Sequence, residues 1–189
     1  MTSEIGKPPG GDELADRLAI QDILGSHCRG LDRRDEALLK ACYWPDATVD
    51  YGSYRGPAQA FAELVLPALA ARYELTRHCL ANTLVAFQHS GALVESYVSA
   101  SHLLHGAERE MLFEGRYLDT LEQRDGRWKL QHRQVVMDWS RHQGVADERD
   151  SEAFADMAKS GHTRGDPLYA LLGDGTARVT VPAESSDGR

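Results

Sequence analysis

The chain has 189 residues, enough for one domain with a real core, and its 42% apolar and 26% charged content is that of an ordinary globular protein. A net charge of -8 and a pI near 5.4 exclude the basic face of a general nucleic-acid binder. No apolar run approaches the roughly 20 residues that span a bilayer, so no membrane partner is expected.

Residues 1–11 hold Pro8-Pro9 and Gly10-Gly11 and read as a flexible lead-in without the apolar stretch of a signal peptide. Cys28, Cys42 and Cys79 form no CxxC pair, so the expectation is a cytoplasmic protein whose reduced thiols pack as small hydrophobes. Asp12 is the expected N-cap of a first helix reaching Arg33, with Leu14, Leu18, Ile20, Leu24 and Leu31 at helical spacing and His27 on the same stripe. Asp35 caps a second helix, Glu36 to Tyr43. Pro45-Asp46 reads as a turn, Ala47 to Tyr51 as a strand, and Ala58 to Tyr73 as a third helix that Pro67 should kink or split. Trp44 reads as a core residue.

From here the period changes from helical to alternating. Four strand-like runs follow: His78 to Gln88, Ala92 to His105, Glu110 to Gln123 and Trp128 to Arg141. Asp125-Gly126 is a strong hairpin signal between the last two, with Trp128 packing beside it. Helices followed by a meander of long strands predict an α+β domain over residues 12–142, its helices packed on one face of a curved, mainly antiparallel sheet that encloses a pocket. Residues 143–189 read as an extension with one helical stretch, Ser151 to Lys159, a compact Asp166-Pro167-Leu168-Tyr169 segment that could cover the pocket mouth, and a disordered last ten residues.

Two residues carry the chemistry. Asp32 ends the first helix and His78 opens the first long strand run. A carboxylate that holds one ring nitrogen fixes the tautomer of an imidazole and stabilises the imidazolium, which makes a general base near neutral pH. The plainer alternative is that Asp32 ends or caps a helix and His78 is an ordinary strand histidine. By period 2, His78, Leu80, Asn82 and Leu84 share one strand face, and Arg133 shares another with Gln131, Val135, Met137 and Trp139. An inward Arg133 would hold a leaving group or oxyanion, with His27 as a second polar donor. Tyr117, Tyr51, Asn82, Leu80, Met137 and Val135 are the expected pocket walls. Tyr97 and His102 lie on opposite faces of their run, and the pattern leaves open which is inside. The histidines show no tight metal-ligand spacing, and no glycine-rich phosphate loop follows a strand, so neither metal nor nucleotide cofactor is expected.

The element order, the Gly115-Arg116-Tyr117-Leu118-Asp119 run and the Arg124-Asp125-Gly126-Arg127-Trp128-Lys129 hairpin resemble the SnoaL-like branch of the NTF2-like superfamily, a cone-shaped fold. The Asp32 and His78 pair resembles the dyad of its dehydratase and dehydrochlorinase members. Arg133, five residues after Trp128, matches a dehydrochlorinase arginine, and His27 stands where other members carry lysine or tyrosine. The branch also includes lyases that release formaldehyde from lignin-derived diaryl compounds. The resemblance implies a cofactor-independent lyase that eliminates water, halide or formaldehyde from a hydrophobic ring-bearing small molecule. An isomerase or cyclase using the same base, and a non-catalytic small subunit of a ring-hydroxylating dioxygenase, are the alternatives. Apolar residues on the outer sheet face imply a homodimer or homotrimer.

Overall fold

The computed structural model describes residues 6–88 and 90–173. The expectations for residues 1–5 and for the last ten lie outside the described residues.

Helix α1 (Gly11–Asp32) buries Ile20, Leu24, His27, Cys28, Leu31 and Asp32, a stripe at helical spacing. Leu14 and Leu18, expected on that stripe, are exposed. This part of the helix is held by polar contacts: Asp16 accepts from the Trp128 indole at 2.7 Å, and Arg17 stacks on Phe87. Asp12 is not the cap; Gly10 occupies that position and offers no side-chain hydrogen bond. Helix α2 (Glu36–Ala41) starts where expected, with the Leu38 N–H donating to Asp35 Oδ1 at 3.0 Å. Gly30 permits the α1–α2 approach, since a Cβ there would stand 3.0 Å from the backbone of Leu39.

Strand β1 (Tyr43–Asp50) begins earlier than the sequence suggests and absorbs Pro45-Asp46, which make no turn. Between Tyr43 and Thr48 the register against β6 is irregular, and such a bulge tolerates a residue without an N–H. The short β2 (Arg55–Pro57) leads into α3 (Ala58–Arg72). Pro67 does not split α3. It sits at an exposed position one turn after exposed Glu63, whose freed carbonyl water can take. Then come β3 (Tyr73–Gln88), β4 (Gly91–Leu104), β5 (Arg109–Arg124) and β6 (Arg127–Gly144). The six-stranded sheet has the order β2-β1-β6-β5-β4-β3 and does not close; β1 and β6 are parallel and the other pairs antiparallel. The fold is therefore the expected α+β architecture. The core, with Ile20, Leu24, Tyr43, Phe61, Leu121 and Leu130, lies between the helices and one sheet face.

Two bulges decide which residues face that core. Ala81 pairs with Tyr97 but Leu84 with Glu95, so β3 carries one extra residue, with Asn82 at φ 45. His78 and Leu80 face inward before the bulge, and Val85 and Phe87 after it. On β6 an extra residue at Gln131 puts Leu130 and Arg133, three apart, on the same buried side.

The extension packs back over the end of α1. Its expected helix at Ser151 to Lys159 is only a single 3₁₀ turn at Glu152–Phe154 with no buried residue, since a stretch this short with no apolar stripe has nothing to pack. A second such turn at Thr163–Gly165 and helix α4 (Pro167–Leu172) follow. The Thr163 N–H donates to the Arg33 carbonyl at 2.7 Å, Tyr169 donates to Asp35 at 2.8 Å, and Asp166 both caps α4 and pairs with Arg33 at 3.2 Å. Among the described residues no helix is long and apolar enough to cross a membrane.

Gly30→Ala should cost about 1–3 kcal/mol, read as a lower midpoint in denaturant unfolding, because its methyl meets helix backbone that cannot give way.

Candidate active site

Asp32 and His78 meet. The carboxylate reaches β3 through three donors: the Thr76 hydroxyl at 3.0 Å, the His78 backbone N–H at 2.9 Å and His78 Nδ1 at 2.6 Å. A carboxylate only accepts, so Nδ1 carries a hydrogen, and in the neutral ring Nε2 holds the lone pair. Nε2 has no partner among the described residues. Thr76, two residues before His78 on the same strand face, was missed by the sequence reading; the period of two could have found it.

His78 forms part of the wall of two cavities. The inner chamber, about 200 Å³, is lined largely by apolar groups, among them Leu31, Val65, Leu69, Phe113 and Val135, together with Tyr51, Tyr117 and His102. The outer cavity, about 440 Å³, lies at the end of α1 and also touches Asp32, Leu80 and Leu168. Tyr51 stacks on Phe61 at 4.1 Å, and its hydroxyl lies near Arg133 and Tyr43 without reaching hydrogen-bond geometry with either. His102 faces inward and Tyr97 outward, which settles the open alternative on β4. The His102 ring stands edge-on to His78 at 5.4 Å with Nδ1 unpaired, and burial, then the neighbouring His78, lowers its pKa to about 4. Tyr51 Oη and His102 Nδ1 are thus buried polar atoms without a hydrogen-bond partner on residues that line the chamber.

Several expected site residues lie elsewhere. Asn82 is exposed because the β3 bulge turns it outward, and Leu84 goes with it. Met137 is 62% exposed, since β6 from Met137 to Gly144 runs beyond the packed layers. Gln131 is turned away from Arg133 by the second bulge and accepts from Arg124 instead. Trp44 is half-buried rather than core, with the Arg124 guanidinium over its ring. Cys79 is exposed, unlike the other two cysteines. Burial pushes the Cys28 and Cys42 thiols up to about 12, which leaves them protonated and inert.

Arg133 and His27 are central but touch neither cavity. Arg133 is fully buried and grips Asp119 through two bonds of 2.7 Å, with its guanidinium 3.9 Å over the Tyr117 ring. Its charge is therefore spent on Asp119 rather than offered to a leaving group, a partner that the sequence placed on the Tyr117 face without assigning it. Burial opposes the charge, but Asp119 outweighs it and keeps Arg133 protonated. Arg133 also donates to His27 Nδ1 at 2.9 Å, so the His27 hydrogen is on Nε2 and points to the Tyr43 hydroxyl at 2.8 Å. Burial, then the field of Arg133, lowers the His27 pKa well below the imidazole range, and the ring is a neutral link. Burial raises Tyr43 and Tyr117 well above the phenol range. Among the described residues no three His, Cys, Asp or Glu side chains converge on a point that could hold a metal ion.

Two predictions follow from this packing. Arg133→Met alone should cost about 3–5 kcal/mol by leaving Asp119 buried and unpaired, whereas Arg133→Met with Asp119→Leu should recover most of it in urea unfolding. His102 is neutral when folded down to about pH 4 but titrates near 6.5 when unfolded. Its stabilising contribution is thus present above pH 6.5 and lost as pH falls toward 4, and urea midpoints at pH 7 and pH 5 should differ less in His102→Gln than in wild type.

Comparison with known proteins places the chain in a family. The SnoaL-like domain pattern matches residues 12–134. Hexachlorocyclohexane dehydrochlorinase 1 of Sphingobium indicum is 32% identical over 124 residues, covering 63% of this chain and 79% of that one. Gamma-hexachlorocyclohexane dehydrochlorinase of the same species is 28% identical over 133 residues, covering 68% and 84%. Among solved structures, a type-2 hexachlorocyclohexane dehydrochlorinase superposes with a TM-score of 0.60 at 28% identity, covering 71% of this chain and 92% of that one. A scytalone dehydratase-like protein of Novosphingobium aromaticivorans shares the fold with a TM-score of 0.63 at 23% identity, covering 70% and 90%. Dehydrochlorinases are lyases, and these matches support enzyme status and elimination chemistry at the level of the family. The chain belongs to the SnoaL-like domain family of the NTF2-like superfamily.

Proposed function

We propose that the protein is a cofactor-independent lyase in which His78 is the general base and Asp32 its orienting partner. The observation that carries this reading is the 2.6 Å contact between Asp32 and His78 Nδ1, with Nε2 free beside an apolar chamber. Nε2 takes a proton from carbon or hydroxyl of the bound substrate. When the proton comes from carbon, the C–H electrons form the new double bond and the adjacent group leaves with its bonding pair, either as halide or as hydroxide that takes the proton back from the imidazolium and departs as water. When it comes from a hydroxymethyl group, the O–H electrons form the C=O of formaldehyde and the C–C bonding pair forms the new double bond as a hydroxyl on the next carbon leaves in the same way. Asp32 stabilises the imidazolium that results. Tyr51 and His102 are placed to meet an oxygen of the substrate. Arg133 and His27 support the tyrosine wall from behind instead of touching the departing group.

The substrate is a hydrophobic ring compound. A volume of about 200 Å³ suits one substituted ring, since roughly 150 Å³ already holds benzene. An aromatic compound of lignin origin is the narrowest class we assign. Val135, Tyr117 and Tyr51 wall the chamber, while Leu80 lies toward the outer cavity. Asn82 and Met137 line neither cavity. A non-catalytic subunit would not need a free imidazole nitrogen beside an apolar chamber, and this favours the enzyme. On the outer sheet face, the exposed Leu84, Leu93 and Tyr97 support self-association as a homodimer or homotrimer.

His78→Ala and Asp32→Asn should each lower kcat by about 10²–10⁴-fold on any active compound found in a mass-resolved screen of hydroxylated and halogenated rings. Loss of a small fragment marks elimination, and a product of unchanged mass marks isomerisation. Undiminished turnover in both variants would sink the dyad.

A further inference from the structure

The outer cavity has a different chemistry from the chamber. Its wall at the end of α1 includes Arg29 and, at the position that caps the helix, Arg33, and its opposite wall is Asp166 and Leu168 of the extension. The acids at this cavity are already committed. Asp166 accepts from the Gly161 and Leu168 N–H groups and pairs with Arg33, and Asp32 is held by Thr76 and His78. Arg29 is exposed, and its guanidinium finds no acceptor among the described residues. In a chain with a net charge of -8, one unbalanced guanidinium faces a cavity of about 440 Å³ that shares His78 with the chamber. Arginine offers only donors, in a fork that matches a carboxylate.

We propose that this outer cavity is a carboxylate subsite, so that the substrate is a ring compound with a short anionic arm. This rests on the elimination reading and narrows it. The ring occupies the chamber, the arm passes His78 between Leu80 and Leu168, and Arg29 holds the carboxylate at the rim. Anchoring the arm fixes the carbon at the junction against Nε2, which raises the effective concentration of the reacting pair. The extension takes part in recognition, because Asp166 and Leu168 form the far wall of the arm's path.

The test uses trans-cinnamate and its neutral isostere cinnamamide as probes, titrated calorimetrically into the full-length protein. Cinnamate should bind about tenfold more tightly, with the advantage shrinking as salt is raised. Arg29→Gln should erase the preference by bringing cinnamate affinity down to that of cinnamamide; the position is exposed, and circular dichroism confirms the fold of the variant. Arg29→Lys should restore part of it. Equal binding of the two probes to wild type, a preference that survives Arg29→Gln, or no binding of either overturns the subsite. The lyase reading fails separately. Elimination from neutral rings that depends on His78 and gains nothing from a carboxylate would remove the subsite and leave the dyad standing.

Discussion

The clamp of Asp32 on β3 is the interaction on which the site depends. A carboxylate at the end of α1 is nearly buried, and burial of a charge is tolerable only when its oxygens are met by donors. Thr76, the His78 backbone and the His78 ring supply them. The same three bonds dock the helix end on the strand and orient the imidazole. Fold and chemistry are thus coupled at one point, because a shift of α1 moves the acid and turns the base. Gly30, two residues upstream, lets α2 close against this end of the helix, and the Arg33 pairing brings the extension over it.

Behind the chamber stands a second buried polar system. Arg133 and Asp119 neutralise each other, and the leftover donors of the guanidinium run to His27 and from there to Tyr43. The arrangement holds a positive group under the face of Tyr117 and near the hydroxyl of Tyr51 without exposing charge to the ligand. Such a pair is weak as a source of net stability but strict about geometry, since neither member can be left alone in the interior. It fixes the chamber wall, while the apolar lining keeps the His78 ring in a medium of low polarity.

Much of this was legible in the sequence. The alternating runs located β3 through β6 to within a few residues at most ends, and the Asp125-Gly126 turn set the last hairpin. Helical spacing put His27 on the buried stripe of α1, which Asp32 also joins. Two of the errors share a cause. Asn82 and Gln131 were assigned to faces by unbroken alternation, and both stand at one-residue insertions that invert it. Pro45-Asp46 looked like a turn because the parallel pairing of β1 with β6, in which Thr48 lies beside the distant His132, was not visible locally.

What the amino-acid order determined by itself was the supply of parts: an acid at a helix end, an imidazole at a strand start, and the periodicities that make the helices and strands. Only the tertiary structure decided which of them meet. It brought His102 beside His78, gave Arg133 to Asp119, left Arg29 unpaired at the rim and turned Asn82 into solvent. The reason is that side-chain direction in a sheet is set by bulges and by pairing with distant strands, and no local window of sequence contains either partner of such a pair together with the other.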